Sequence, residues 1–252
     1  MGVHALALLA GAGFLAGIMN AVAGGGSFVT FPALVAAGLP SVGANASSTV
    51  ALFPGQVTTA YAYRKQLRDF EGLSMRMLIP LSLAGGICGA LLLLLTPQST
   101  FDRVIPWLLF AGTIAFAFGP RLGPALRRLL HIGARTLLVL QFALAVYGGY
   151  FGGAVGLLMM AVWSVFGVSD VRAMSGARIL LVTMMNSVAV VTFAAAGKVF
   201  WLPAAAMGVA SVTGGYLGAH IGRRMNPARL RVLISCFNVA ITAAFFWRAL
   251  HR

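Results

Sequence analysis

Apolar positions in this chain come in long blocks separated by short polar joints. Ala5 to Ala23, Met77 to Leu95, Val104 to Phe118, Leu137 to Tyr150 and Val232 to Phe246 are nearly unbroken apolar runs. Most are close to the ~20 residues that a helix needs to cross a hydrocarbon core. The blocks recur along the whole length and leave no stretch for a soluble domain. The segment from His4 to Gly38 is longer than one crossing: its 35 residues would make a helix of about 52 Å against a core of about 30 Å. Gly24-Gly25-Gly26 supplies a break, so the pattern predicts a helix, a glycine turn and a shorter returning helix.

The blocks also repeat. At an offset of about 130 residues Gly85-Gly86-Ile87-Cys88-Gly89-Ala90 falls on Gly214-Gly215-Tyr216-Leu217-Gly218-Ala219, both reading GGxxGA. Arg103-Val104-Ile105 falls on Arg231-Val232-Leu233, Gln56 on Asn186, Arg178 opposite Thr49, and Gly24-Gly25-Gly26 on Ala154-Val155-Gly156. The expected fold is an all-α polytopic membrane protein of two inverted repeats, each a broken-helix hairpin plus three transmembrane helices, about ten helical segments in all. Residues 1–120 form the first membrane repeat, 121–135 a basic cytoplasmic linker and 136–252 the second repeat. With a hairpin in each half, every Lys and Arg except Arg103, Lys198, Arg248 and Arg252 falls on one face. The positive-inside tendency makes that face cytoplasmic and puts both termini outside.

Composition narrows the partners. The chain is 60% hydrophobic and 9% charged, with a formal charge of +14. Its basic residues lie in short loops between apolar spans, where they meet anionic lipid headgroups, so no nucleic acid is expected. The first segment lacks a basic n-region and runs into the glycines, so it reads as a retained span rather than a signal peptide. Cys88 and Cys236 sit inside apolar spans without metal-ligand spacing and read as small buried packing residues. No metal or cofactor is expected. The GxxxG spacings at Gly13/Gly17, Gly85/Gly89, Gly148/Gly152, Gly152/Gly156, Gly214/Gly218 and Gly218/Gly222 read as close helix packing.

Candidate chemistry gathers at the breaks. A helix starting at Gly26 or Ser27 aims unpaired amides and its positive dipole end at whatever cavity the break faces, which suits an anion. Asn20 precedes that turn. Asn45, Ser47, Ser48 and Thr49 open the next span, with Gln56 two turns on, and can donate hydrogen bonds to oxyanions without net charge. The second half offers a thinner set, Gly156, Ser175, Arg178 and Asn186, of which Arg178 is the counter-charge candidate. All four acids, Asp69, Glu71, Asp102 and Asp170, lie in loops or at span ends, so a proton relay or sodium cage built on a mid-membrane carboxylate is not expected.

Gly24-Gly25-Gly26-Ser27 followed by Phe31-Pro32, Leu39-Pro40 and Ala44-Asn45-Ala46-Ser47-Ser48, with a degenerate second copy, resembles the TauE/SafE family of sulfite and organosulfur-anion exporters. The resemblance covers essentially the whole chain. It implies a multi-pass transporter in a bacterial inner (plasma) membrane whose partners are a small anionic substrate, most simply sulfite or an organosulfonate, and membrane lipids. A homodimer is compatible with it. The alternatives are a non-transporting membrane assembly subunit, or an intramembrane serine hydrolase in which Ser175 pairs with His220. The second lacks a GxSG motif and leaves the duplicated glycines unexplained.

Overall fold

The computed structural model describes residues 2–64, 69, 74–127, 133–168, 170–222 and 227–251. Among these the chain is helical, with ten helices in order: α1 (Val3–Ala23), α2 (Ser27–Ala36), α3 (Ser41–Tyr63), α4 (Met75–Leu95), α5 (Gln98–Arg127), α6 (Ala134–Tyr150), α7 (Val155–Phe166), α8 (Val171–Ala195), α9 (Trp201–Gly222) and α10 (Pro227–Leu250). Five of the described helices are long and apolar enough to cross a membrane: Val3–Ala21, Met75–Leu95, Gln98–Phe118, Ala173–Ala195 and Val232–Leu250. α2 and α7 are too short to do so alone. Helix α5 continues to Arg127, and residues 128–132 of the expected linker lie outside the described residues.

The two short helices fold back on the helices before them. Gly24 closes α1 in the left-handed region at φ 74°, its N–H donating to Asn20 O at 3.0 Å. Val29 of α2 then packs beside Ala16 and Ala12 of α1. The second half repeats the device. Gly152 takes φ 77° between α6 and α7, the Tyr147 hydroxyl donates to Gly153 O at 2.8 Å, and Trp163 of α7 donates to Gln141 Oε1 on α6 at 3.2 Å.

Backbone angles correct the register read from sequence. Gly24 corresponds to Gly152, and the starts of α2 and α7 make Ser27 correspond to Val155, so Gly152-Gly153-Ala154 is the counterpart of the triple glycine. The shift arises because α7 has 12 residues where α2 has 10, so no single offset fits both sides of the short helix. Farther on, Ala44 N donates to Pro40 O and Met174 N to Asp170 O. In that register Arg178 stands opposite Ser48 rather than Thr49.

Helix packing exchanges between the halves. α1 lies along α9 as α6 lies along α4. A Cβ on Gly85 of α4 would stand 3.0 Å from Phe142 O of α6, and one on Gly218 of α9 would stand 3.0 Å from Ile18 O of α1. On Gly89 and Gly214 it would overlap the carbonyl oxygens of Val146 and Phe14. These glycines allow backbones to touch, as the spacing predicts. Gly152 and Gly156 do not serve that end: the first sits in the α6–α7 turn, and the second lies beneath Arg178. Where the halves meet, equivalent residues bond to each other. Gln56 meets Asn186 at 2.8 Å, and Thr113 of α5 meets Thr242 of α10 at 2.9 Å. Phe31 anchors the centre, with ring centroids 5.8 Å from Phe151 and 5.6 Å from Phe245.

Cys88 and Cys236 are free and exposed on the outside of the bundle, which corrects the expectation that they are buried. In a membrane span an apolar residue can face lipid, so an apolar setting in sequence does not distinguish inside from outside.

Candidate functional site

A cavity of about 100 Å³ lies where the two breaks approach each other. It is lined by Asn20, Ala21 and Gly24 at the end of α1, Ser27 at the start of α2, and Gln56, Thr59 and Tyr63 on α3. Gly152, Val155, Gly156 and Leu157 come from the α6–α7 turn and the start of α7, and Arg178, Ile179, Val182 and Thr183 from α8. The volume is below the ~300–1,000 Å³ of sites for drug-sized molecules and suits a small ion.

Arg178 crosses the site. A Cβ on Gly156 would lie 2.7 Å from its Cδ, and one on Gly24 would lie 3.7 Å from Nη1. The aliphatic stem therefore runs over Gly156 and delivers the guanidinium beside the end of α1. Among the described residues the guanidinium has no hydrogen-bond or ion-pair partner, and no Asp or Glu lines the cavity. Tyr63 of α3 interacts with it electrostatically, but a half-buried cation with no carboxylate beside it is unfavourable until something negative joins it.

The helix breaks add donors. Neither α2 nor α7 has a side-chain N-cap, and among the described residues the backbone N–H groups of Ser27, Val155 and Gly156 find no acceptor. Two positive dipole ends thus flank the guanidinium. Gln56 contributes from α3: its Oε1 accepts from Asn186 Nδ2 at 2.8 Å, leaving Nε2 without a partner among the described residues. The Thr59 hydroxyl donates to Gly55 O and the Thr183 hydroxyl to Ile179 O, both at 2.7 Å.

Of the residues expected from sequence, Asn20, Gly24, Ser27, Gln56, Gly156 and Arg178 come together in this cavity. The others stand elsewhere. Gly25 lies beside the Met19 methyl, and Gly26 is pressed on α1, where a Cβ would be 2.8 Å from Ala16 O. Asn45 Nδ2 donates to Tyr150 O at 2.9 Å, satisfying the last carbonyl of α6. Ser47 Oγ accepts from Phe200 N at 2.9 Å, just before α9. Ser48 bonds to Thr30 at 2.5 Å, and Thr49 donates back to Asn45 O at 3.0 Å. This run ties breaks and helix starts together across the halves. Ser175 is half-buried on α8 away from the lining, and Asn186 acts through Gln56. The side chain of His220 lies outside the described residues.

Sequence reading missed Thr59, Tyr63, Gly152 and Thr183. Helical spacing could have found two of them: Gln56, Thr59 and Tyr63 share one face of α3, whereas Thr183 stands five residues from Arg178, about 140° around α8. Only the positive φ of Gly152 reveals its place.

Discontinuous helices whose N-termini meet a polar cavity inside an apolar bundle define a class, the membrane transport proteins. Residues 9–245 match the family model described as Sulfite exporter TauE/SafE, and the chain belongs to this family. It is 28% identical over 239 residues to the probable membrane transporter protein YfcA of Escherichia coli (strain K12), covering 94% of this chain and 86% of that one. It is 30% identical over 250 residues to the probable membrane transporter protein ORF9 of Sinorhizobium sp, covering 98% and 93%. A probable membrane transporter protein of Haemophilus influenzae is 30% identical over 241 residues, covering 93% and 90%. No solved structure matches the chain at a significant level. The protein is a multi-pass membrane transporter, which sets aside the serine hydrolase alternative.

Proposed function

We propose that the protein moves a small sulfur oxyanion, sulfite or an organosulfonate, across a bacterial inner membrane, and that the anion sits between Arg178 and the amide ends of α2 and α7. The observation that carries this reading is the Arg178 guanidinium, which among the described residues has no hydrogen-bond or ion-pair partner, in a cavity whose described lining holds no acid and which two uncapped helix starts flank. The family description supports the substrate class, and the bacterial relatives support the membrane. The test is a panel of small anions added to purified protein. A bound ion raises the melting temperature by mass action, and the ions that do so should exchange across liposomes containing the protein. Stabilisation by sulfite without flux would overturn transport, and no stabilisation by any anion would overturn the site.

The same reading places the halves in opposite orientations, with both termini outside and the basic joints in the cytoplasm. The exchange of helix contacts and the distribution of Lys and Arg support it. Cysteine introduced at Arg127 in intact cells should resist an impermeant thiol reagent added outside. Ready labelling there would rule out the inverted arrangement.

A further inference from the structure

Three tyrosines of the bundle are half-buried, and their hydroxyls are treated differently. The Tyr147 hydroxyl donates to Gly153 O at 2.8 Å and the Tyr150 hydroxyl to Thr96 Oγ1 at 3.4 Å. Tyr63, the last residue of α3, lines the cavity, and its hydroxyl has no hydrogen-bond partner among the described residues. A tyrosine hydroxyl withdrawn from water normally finds one. The next cation along the chain does not stand in: the Arg64 guanidinium lies 3.6 Å from the centre of the Tyr61 ring and donates to Tyr61 O at 2.7 Å. Tyr63 interacts electrostatically with Arg178 instead, through the one polar atom of its side chain. In the register that sets Arg178 opposite Ser48, Tyr63 falls on Phe193, a ring fully buried in the core. Both halves place an aromatic ring there; the hydroxyl is what the first half adds, and it adds it where the cavity and the cation are.

We infer that Tyr63 binds the transported anion directly, its hydroxyl donating to an oxygen of the ion that Arg178 holds. This rests on the anion reading of the cavity given above. A phenol hydroxyl both donates and accepts, but the charged oxygens of an oxyanion offer it lone pairs only, so the bound ion fixes it as a donor. A hydrogen bond to an ionised acceptor is stronger than one between neutral groups. Tyr63 therefore strengthens the hold on the anion without a second positive charge in the site, and an ion with several oxygens meets the guanidinium and the phenol at once.

The test is calorimetric binding of sulfite and of methanesulfonate to the purified full-length protein, in the wild type, Tyr63→Phe, Arg178→Lys and the double variant. Tyr63→Phe removes one oxygen and installs the residue of the matching place, so the melting temperature without anion should stay level. Affinity should fall about tenfold, the worth of a hydrogen bond to a charged group. It should fall by a similar factor when the change is made on Arg178→Lys, because the hydroxyl meets the anion itself. Unchanged affinity in Tyr63→Phe, for an anion that the wild type binds, overturns this inference alone. So does a loss that disappears on Arg178→Lys, which would make Tyr63 a positioning residue for the guanidinium. A loss accompanied by a lower melting temperature of the anion-free protein would assign the hydroxyl to packing and overturn it too. Failure of the wild type to bind either anion overturns the anion site and this inference with it.

Discussion

The two halves of the protein follow the same order of long helix, glycine turn and short returning helix, and differ in what fills it. Both break after a long helix, both turn through a glycine near φ 75° at Gly24 and Gly152, and both send a short helix back along the first. In the first half the short helix begins Ser27-Phe28, and Phe28 is fully buried. The corresponding place on α7 is Gly156, over which Arg178 runs. Arg178 in turn stands opposite Ser48, which is buried and bonded to Thr30. The first half thus closes its position with an aromatic ring and a hydroxyl pair, and the second opens it with a glycine and a cation. Duplication supplies the geometry of two facing breaks; the departure from duplication supplies the charge.

The strongest way to break this comparison is to remove the cation. Arg178→Gln keeps polarity and much of the length but leaves two helix ends as the only positive features among the described lining residues. Anion binding should weaken on the order of tenfold to a hundredfold, the worth of a charge-assisted hydrogen bond, with folding retained. Arg178→Lys should recover part of the loss, since a point charge cannot reproduce the planar fork. Binding measured on both variants decides it. Unchanged affinity in Arg178→Gln would move the site elsewhere.

A second variant attacks the seat instead of the charge. Gly156→Val puts a branched side chain where the Cδ and Cγ of Arg178 now lie, 2.7 and 2.8 Å from the first added carbon. The guanidinium must swing away, so anion affinity should fall roughly tenfold while the protein still folds; side chains yield to overpacking at about 1–3 kcal/mol. Adding Arg178→Gln to Gly156→Val should then cost little more, because the first change has already displaced the group that the second removes. Full additivity would mean that Gly156 contributes to binding independently of Arg178.

How much of this was legible beforehand follows from which signals are local. The first break was readable because three glycines interrupt a run too long for one crossing. The second was readable as a break but not in register: its key glycine is set by a positive φ, and α7 is longer than α2. Arg178 stands out in sequence as a charge followed by an apolar span. The polar run Asn45 to Thr49 looks equally suited to an anion, yet its partners, Tyr150 O and Phe200 N, lie 105 and 153 residues away. Nothing in the run itself distinguishes a ligand for substrate from a cap for another helix.

Asn238 on α10 shows a departure from duplication that costs stability. It is fully buried, and neither Nδ2 nor Oδ1 has a partner among the described residues. The first-half position in register with it, one fixed by the Thr113–Thr242 contact, holds the buried Leu109. Asn238→Leu should therefore raise stability by about 1 kcal/mol, since it removes two buried unsatisfied groups and replaces them with a side chain the matching place already accepts. Thermal unfolding in detergent would show it. A loss of stability would mean that the amide is satisfied in the membrane by a water or a lipid group.

The smallest expected effect tests whether equivalent residues are energetically equivalent. Thr113 and Thr242 meet at 2.9 Å, but Thr242 also donates its hydrogen to Asn238 O at 2.7 Å. Its oxygen must then accept from Thr113, so the pair is directional even though its two members occupy matching places. Thr113→Val removes one donor and leaves Thr242 bonded to its own helix. Thr242→Val leaves the Thr113 hydroxyl buried without its acceptor and should cost more. Interhelical hydrogen bonds of this kind in membranes average about 0.6 kcal/mol, so the single changes should differ by a few tenths around that value. The double Val variant should cost less than the sum of the singles, because the orphaned donor created by Thr242→Val is gone. Equal costs for the two singles, with strict additivity in the double, would show that the contact at the junction of the halves carries no coupling and that their packing alone holds them together.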